Sequence, residues 1–270
     1  MKLGTAVYTY LWECSLEEAL ERCARLAFDR VEIMTSPPFV WPAHLGPFER
    51  RRLRRQLERL GLEATSLNPT FLDLNLISLN PAIRSASIAE VKETIRLAAD
   101  IGAAVVVISA GRRHPLIPSP FEDAESLALD VIGDCARLCG ELGVTLGVEN
   151  IPSLFVQTVA QLVGLVEAVG SPHCRIVYDV ANAHMVEEPA SGLRTVAPYL
   201  ALVHYSDTTK RKWEHLPIGM GEVDFAAATE MLREINYEGT VVLETTYPED
   251  PDGGIRSSAE ALAQLGLRPR

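Results

Sequence analysis

The sequence predicts an α/β fold, a single (β/α)8 TIM barrel with eight parallel strands at its core. Its length of 270 residues is close to the roughly 250 residues typical of such a barrel. Short β-branched runs alternate with helical patterns along the whole chain, and the runs are apolar on both faces, which is typical of buried parallel strands. Because no linker or low-complexity segment interrupts the alternation, we expect one domain over residues 1–270.

The strands are expected where the short apolar runs occur, in chain order. These positions are residues 2–8, 30–34, 63–68, 104–109, 144–149, 174–179, 200–205 and 240–245. Longer segments at 68–80 and 206–224 follow the third and seventh strands. Long loops at the carboxyl ends of barrel strands usually build the substrate site, so both segments are candidates for that role.

The helices between the strands have their own start and stop signals. Ser15 opens a segment of capping-box form, and Ser119 opens another in which Pro120 would be the first helical residue. Glycines that follow a helical run and precede a strand are expected to end helices. These glycines are Gly61, Gly102 and Gly143.

Composition argues against several classes of function. The net charge of −11 opposes non-specific binding to nucleic acid, which depends largely on cationic contacts to phosphates. The chain has no apolar stretch of about 18 residues, and its first residues lack the apolar core of a secretory signal. The five cysteines follow no zinc-ribbon spacing and are expected as reduced thiols. We therefore predict a cytoplasmic protein without membrane or nucleic-acid partners.

Four apolar runs end in a side chain that can bind metal, namely Glu149, Asp179, His204 and Glu244. Alone, each has an ordinary interpretation as a surface charge, a turn cap or a core histidine. Together they occupy the ends of strands five to eight, which meet around one rim of a barrel. Three carboxylates and one imidazole suit one divalent cation, with Mn²⁺ favoured and Mg²⁺, Co²⁺ or Zn²⁺ as alternatives.

Five motifs surround these positions: Val148-Glu149-Asn150, Tyr178-Asp179-Val180-Ala181-Asn182, Val203-His204-Tyr205-Ser206-Asp207, 217–225 and Leu243-Glu244. They resemble the xylose-isomerase-like barrel superfamily, and more narrowly its sugar isomerase/epimerase branch, which includes ketose 3-epimerases. The resemblance spans nearly the whole chain. It implies that the four residues bind one divalent metal, and that Glu149 and Glu244 act as acid and base on opposite faces of a sugar.

The implied chemistry is physically consistent. A proton on the carbon next to a ketone is weakly acidic, and coordination of the substrate oxygens to a cation stabilises the enediolate. One carboxylate can remove the proton and the other can return it to the opposite face. Transfer by one base between C1 and C2 would instead interconvert an aldose and a ketose. The expected partner is a small sugar or polyol-derived molecule.

Other residues are candidates for substrate contact. Many epimerases have a histidine three residues after the metal-binding aspartate, where this chain has Asn182, an amide that can bind a hydroxyl but cannot act as a general acid. The further candidates are His184, His215, Arg211 and Asn68. Each has a structural alternative, as a packed loop histidine, a solvated loop charge or a core or rim residue.

Four more positions are left open. Glu32 ends the second strand and is either a rim residue or a loop charge. Asp207 either orients His204 or binds a substrate hydroxyl, and its structural alternative is a turn-forming aspartate. Tyr8 and Trp12 either line a sugar pocket or belong to the core or rim.

Competing functions share parts of this pattern. A lyase, such as an inosose or dehydroshikimate dehydratase, would begin with the same proton removal and then expel a hydroxyl. A DNA-repair endonuclease of the same superfamily would need more metal ligands, and the six histidines and the net charge of −11 argue against it. A barrel that binds a metabolite without turnover is disfavoured by Glu149 and Glu244. Homo-oligomerisation is an option by analogy alone.

Overall fold

The computed structural model describes residues 1–69 and 73–270. Its strands are β1 (Lys2–Ala6), β2 (Arg30–Met34), β3 (Glu63–Asn68), β4 (Val105–Ile108), β5 (Thr145–Glu149), β6 (Cys174–Asp179), β7 (Leu200–Tyr205), β8 (Asp207–Thr209), β9 (Lys212–Leu216) and β10 (Thr240–Leu243). Eight of them close a parallel barrel in the order β1-β10-β7-β6-β5-β4-β3-β2. The predicted fold class is confirmed, and each predicted strand overlaps an observed one. The extent of a single domain over residues 1–270 stays a prediction.

Helices cover the outside of the barrel. They are α1 (Leu16–Arg25), α2 (Pro47–Leu60), α3 (Pro81–Ile101), α4 (Phe121–Leu142), α5 (Val159–Val169), α6 (Val180–Val186), α7 (Pro189–Val196), α8 (Phe225–Glu234) and α9 (Pro251–Gln264). Short 3-10 helices lie at Tyr8–Tyr10, Pro42–His44 and Ala197–Tyr199. Among the residues that the structure describes, no helix is long and apolar enough to cross a membrane.

Most of the predicted helix ends are confirmed. The Ser15 side chain accepts a hydrogen bond from the Glu18 amide at the start of α1. The three predicted glycines end α2, α3 and α4 in the left-handed conformation that favours glycine. The prediction at Ser119 is wrong, because Pro120 has a ψ of 144°, outside the helical region, and α4 begins one residue later.

Alternate strand positions pack in two separate layers. Val106 and Ile108 of β4 belong to a large cluster that includes helix side chains, whereas Val105 and Val107 belong to a smaller cluster built from strand residues alone. Because strand side chains alternate between faces, the smaller cluster fills the barrel interior. Gly147 lies on that inner face, where a Cβ atom would come within 2.4 Å of the neighbouring Val177 side chain.

The segment 206–224, expected to be a long loop, contains a hairpin formed by β8 and β9. Asp207 organises the segment, because its carboxylate accepts hydrogen bonds from four backbone amides at 2.8–3.1 Å. Those amides belong to Thr208, Gly219, Gly221 and Val223. Of its predicted alternatives, Asp207 therefore takes the turn-forming role. The other long segment, 68–80, includes residues 70–72, which lie outside the described residues.

Candidate active site

Strand alternation brings Glu149, Asp179, His204 and Glu244 together. Each stands two positions after a residue on the inner face of the barrel, so each side chain points into the barrel mouth. One ligand atom from each residue lies within 4.8 Å of the others, and all four residues are buried. This metal-candidate cluster could hold one metal ion.

The imidazole of His204 lies at the centre of the cluster. Its Nδ1 atom is 3.1 Å from Glu149 Oε1 and 3.2 Å from Glu244 Oε2. Its Nε2 atom, on the opposite side of the ring, is 3.0 Å from Glu32 Oε2. Nδ1 therefore faces the other candidate ligands, while Nε2 faces a fourth carboxylate, which lies outside the cluster.

That fourth carboxylate, Glu32, is 1 % exposed and belongs to the site rather than to a solvated loop. Ser66 Oγ donates a hydrogen bond of 2.6 Å to Oε2, and Asn68 Nδ2 donates one of 3.0 Å to Oε1. The same Asn68 amide also donates to Glu244 Oε1 at 3.2 Å. Glu32 thus has the position of a carboxylate that orients a metal-ligating histidine through its second ring nitrogen.

Asp179 is fixed through its backbone and through one of its two carboxylate oxygens. The Asn150 side chain donates to the Asp179 carbonyl and accepts from the Asp179 amide, both at 2.9 Å. Asp179 Oδ1 accepts from the Asn182 amide at 2.6 Å and so caps α6. Its other oxygen, Oδ2, stays available to the cluster.

Burial and mutual charge shift the titration of the cluster. Burial raises the pKa values of Glu149 and Asp179 above the ordinary range of carboxyl groups. Burial alone would lower the pKa of His204, but the charges of Glu32 and Glu244 hold it well above its ordinary value. Burial also opposes ionisation of Glu244, yet the charge and hydrogen bond of His204 hold its pKa well below the usual range. A positive charge among these buried carboxylates would therefore stabilise their ionised forms.

One buried oxygen supports the fit of a cation. Within residues 1–69 and 73–270, Asp179 Oδ2 has no hydrogen-bond partner. A buried charged acceptor left in that state costs free energy, and a cation bound by the cluster would remove the cost. The donor set of carboxylate oxygens and one imidazole nitrogen also suits a divalent ion.

A pocket of about 290 Å³ opens above the cluster. Three predicted substrate residues line it, namely Asn68, Asn182 and His215. Trp213, from the hairpin, also lines it and donates from Nε1 to Asn182 Oδ1 at 2.6 Å. Burial alone would lower the pKa of His215, but its hydrogen bond to Glu244 helps to raise it to about 9. This inner pocket combines apolar, amide and charged groups over the cluster.

A sequence model described as a xylose isomerase-like TIM barrel matches residues 20–265. The chain belongs to this family. An uncharacterised protein of Methanocaldococcus jannaschii is 27 % identical over 93 % of this chain and 85 % of its own length. A D-psicose 3-epimerase of Agrobacterium fabrum is 24 % identical over 86 % of this chain and 80 % of its own. The structure of a D-tagatose 3-epimerase-like protein superposes with a TM-score of 0.86, at 24 % identity, over 98 % of this chain and 97 % of that one.

Two predicted contacts lie away from the inner pocket of this family member. His184 and Arg211 both belong to the described part of the chain, and neither lines the pocket. His184 follows Asn182 by two helical positions, which turns it about 200° around α6. Arg211 lies in the turn between β8 and β9 and is exposed, because the expected loop is a hairpin whose turn points to solvent. Both residues therefore lie outside the lining of the inner pocket, and their contact with substrate stays a prediction.

The sequence does not point to every residue around the cluster. It leaves the role of Glu32 open, although a glutamate in the apolar strand Arg30–Met34 has to find partners when it is buried. Trp213 and Glu214 reach the pocket only because β9 folds back over the barrel. A local hairpin signal was weak, since the turn contains lysine and arginine rather than glycine or asparagine.

Proposed function

We propose that this protein is a divalent-metal-dependent sugar isomerase or epimerase that moves a proton on a carbon next to a carbonyl group. The main support for this proposal is the position of two buried glutamates. Glu149 and Glu244 lie on the outer two of four adjacent strands, with Asp179 and His204 between them. A sugar held above the two central residues would have one carboxylate on each side.

The relatives support the same class of reaction. They include the D-psicose 3-epimerase, and a D-tagatose 3-epimerase-like protein shares the fold. Because the identity to the D-psicose 3-epimerase is near one quarter, the reaction of this chain has to be inferred from its own site. That site has both carboxylates that proton transfer on two faces of a sugar needs.

The four residues of the metal-candidate cluster would hold the ion, and we propose Mn²⁺ because hard oxygen donors with one imidazole suit it. When bound, the ion would supply Lewis-acid stabilisation of negative charge on the substrate oxygens. Glu32 would hold the His204 ring with Nδ1 toward the cluster, through the contact to Nε2. Asn68 and Asn182 would orient substrate hydroxyls at the pocket wall.

Glu149 and Glu244 would carry the proton transfer. One carboxylate would remove the proton from the carbon next to the carbonyl, and the other would return a proton to the opposite face. The result is inversion at that carbon. Return by the same carboxylate to the adjacent carbon would give the isomerase reaction, and loss of a neighbouring hydroxyl would give the alternative lyase reaction.

We also propose a cytoplasmic location, which the five free cysteines support because thiols persist in a reducing compartment. The proposed partner is a small-molecule sugar or polyol-derived substrate. A homo-oligomer stays a proposal by analogy.

Product analysis tests the proposal. Ketoses, inososes and their phosphates would be incubated with the protein and Mn²⁺ in D2O, and then with a chelator. Metal-dependent deuterium exchange next to a carbonyl is expected, and the labelled carbon separates epimerisation from isomerisation. Loss of water from the product would favour the lyase. Absence of exchange from every compound would contradict the proposed chemistry.

A further inference from the structure

A second cavity, of about 430 Å³, adjoins the inner pocket. Tyr8, Pro69 and Thr246 line both, so the two cavities share a wall. The inner pocket alone, at about 290 Å³, lies at the small end of the range for ligand sites. A substrate that bound through the outer cavity as well would extend beyond the reacting sugar ring.

The outer cavity has aromatic walls. Trp12 lines it and is 85 % exposed, and Trp41 lines it from the segment before α2. Large indole faces left in water lack the packing that such side chains usually find. The C–H face of a pyranose ring is apolar and flat, and it covers an indole face while its hydroxyls stay at the rim.

Buried polar groups with unused hydrogen-bonding capacity also line this cavity. Glu90, on α3, is 6 % exposed, and Thr35, after β2, is 1 % exposed. Across the described residues, neither Glu90 Oε1 nor Thr35 Oγ1 has a hydrogen-bond partner. Burial raises the pKa of Glu90 to about 7, so near neutral pH this carboxyl group can donate as well as accept. A hydroxyl-bearing ligand would satisfy both side chains.

The charge of the walls restricts the ligand further. Of the described residues that line the outer cavity, the charged ones are Asp73 and Glu90, and none is lysine or arginine. The described lining of the inner pocket likewise contains glutamates and no lysine or arginine. The cationic side chain of the inner pocket, His215, is already paired with Glu244, so a phosphate or carboxylate on the substrate would meet negative charge and no lysine or arginine in the described lining.

We propose that the substrate is an uncharged, glycoside-sized keto sugar, whose reacting unit occupies the inner pocket and whose second hydroxylated ring occupies the outer cavity. This substrate class rests on the proposed function, because the reacting unit is assigned to the metal-candidate cluster. The assignment of a second sugar ring to the outer cavity rests on the aromatic and polar residues that line that cavity.

The kinetic test compares sugars that share one reacting unit. Fructose, fructose 6-phosphate and a panel of keto-disaccharides with glucose on different fructose hydroxyls, such as isomaltulose and maltulose, would be assayed for Mn²⁺-dependent deuterium exchange. At least one disaccharide is expected to exceed fructose at least tenfold in kcat/KM, and fructose 6-phosphate to fall below fructose. Equal rates for fructose and every disaccharide, or a preference for the phosphate, would overturn the proposal.

Variants connect that preference to the cavity. Trp12→Ala is expected to reduce the ratio of disaccharide to fructose kcat/KM at least tenfold. Phe48→Ala is the matched control, because Phe48 is an exposed aromatic residue on α2 that lines neither cavity. The control is expected to keep the wild-type ratio. An unchanged ratio of disaccharide to fructose kcat/KM in Trp12→Ala would show that the outer cavity does not recognise the substrate.

Binding measured by calorimetry separates this proposal from the proposed function. Isomaltulose, maltulose and methyl glucoside would be titrated into wild-type protein and into Trp12→Ala, with glucosamine as a cationic probe. Binding that is lost in the variant supports the outer site even if no sugar undergoes exchange. Absence of binding by every neutral sugar, or tighter binding of glucosamine than of methyl glucoside, would contradict the assignment to an uncharged ring.

Discussion

Glu32→Gln is the substitution that most directly examines how the cluster is held. Glu32 accepts hydrogen bonds from Ser66 Oγ and Asn68 Nδ2 and lies 3.0 Å from His204 Nε2. All of these neighbours present hydrogen atoms to a carboxylate that holds Nδ1 of the histidine toward the cluster. In either orientation of the glutamine side chain, its NH2 group would face a donor, either the Asn68 amide or the Ser66 hydroxyl and His204 Nε2. The imidazole would consequently lose its fixed orientation.

The expected magnitude follows from the role of such a carboxylate. Loss of a partner that orients a metal-ligating histidine costs about 10–100-fold in metal affinity, which is about 1.4–2.8 kcal/mol. We expect the Kd for Mn²⁺, measured by calorimetry, to rise by that factor. Ser66→Ala removes one donor to Glu32 but leaves its charge, and so should cause a smaller loss.

The matched control is Glu238→Gln, because Glu238 is exposed and its substitution removes the same charge at a position away from the cluster. It should bind Mn²⁺ as the wild type does. Thermal unfolding in the presence of a chelator checks that Glu32→Gln remains folded. A folded Glu32→Gln variant whose Kd stays within twofold of the wild type would refute the orienting role.

Three further outcomes are expected. Glu244→Gln should abolish turnover, because it removes a charged ligand and a proton carrier, and near-normal kcat with an assayed ketose would remove that role. His204→Ala should lower the metal content of purified protein, measured by mass spectrometry, whereas unchanged content would mean that His204 is not a ligand. Burial raises the pKa of Glu90 from its ordinary 4.5 to about 7, so ionisation costs the folded state stability as pH rises through that interval. Glu90→Gln should therefore gain up to about 3 kcal/mol relative to the wild type between pH 4.5 and pH 8 in chelator-treated samples, and an equal difference at both pH values in chemical unfolding would contradict the shift.

The barrel and the central cluster were predictable because both depend on local pattern. Apolar runs of strand length identified the eight strands, and a ligand-type residue at the end of four runs identified the cluster. The alternation of side chains fixes their direction once the strands close into a barrel. Val177 and Asp179, for example, face the same side because they are two residues apart.

The rest of the site depends on contacts between distant segments. Glu32 becomes part of the site through His204, which is 172 residues away, and through Asn68, which is 36 residues away and also donates to Glu244. The hairpin that contains Trp213 is stabilised by hydrogen bonds between Asp207 and backbone amides of the following loop. No short sequence pattern predicts these hydrogen bonds. The charge of Arg211 makes it a candidate for substrate contact, but charge alone does not say whether a turn faces the pocket or solvent.

The most direct test of the central claim follows the origin of the transferred proton. A ketose substrate identified in the exchange panel would be converted by Mn²⁺-loaded protein in D2O, and early product and recovered substrate would be examined by NMR. Two carboxylates on opposite faces predict deuterium at the inverted carbon of the product, little in the recovered substrate, and no reaction after chelation. Product that retains the original hydrogen, or turnover that persists without metal, would contradict the account.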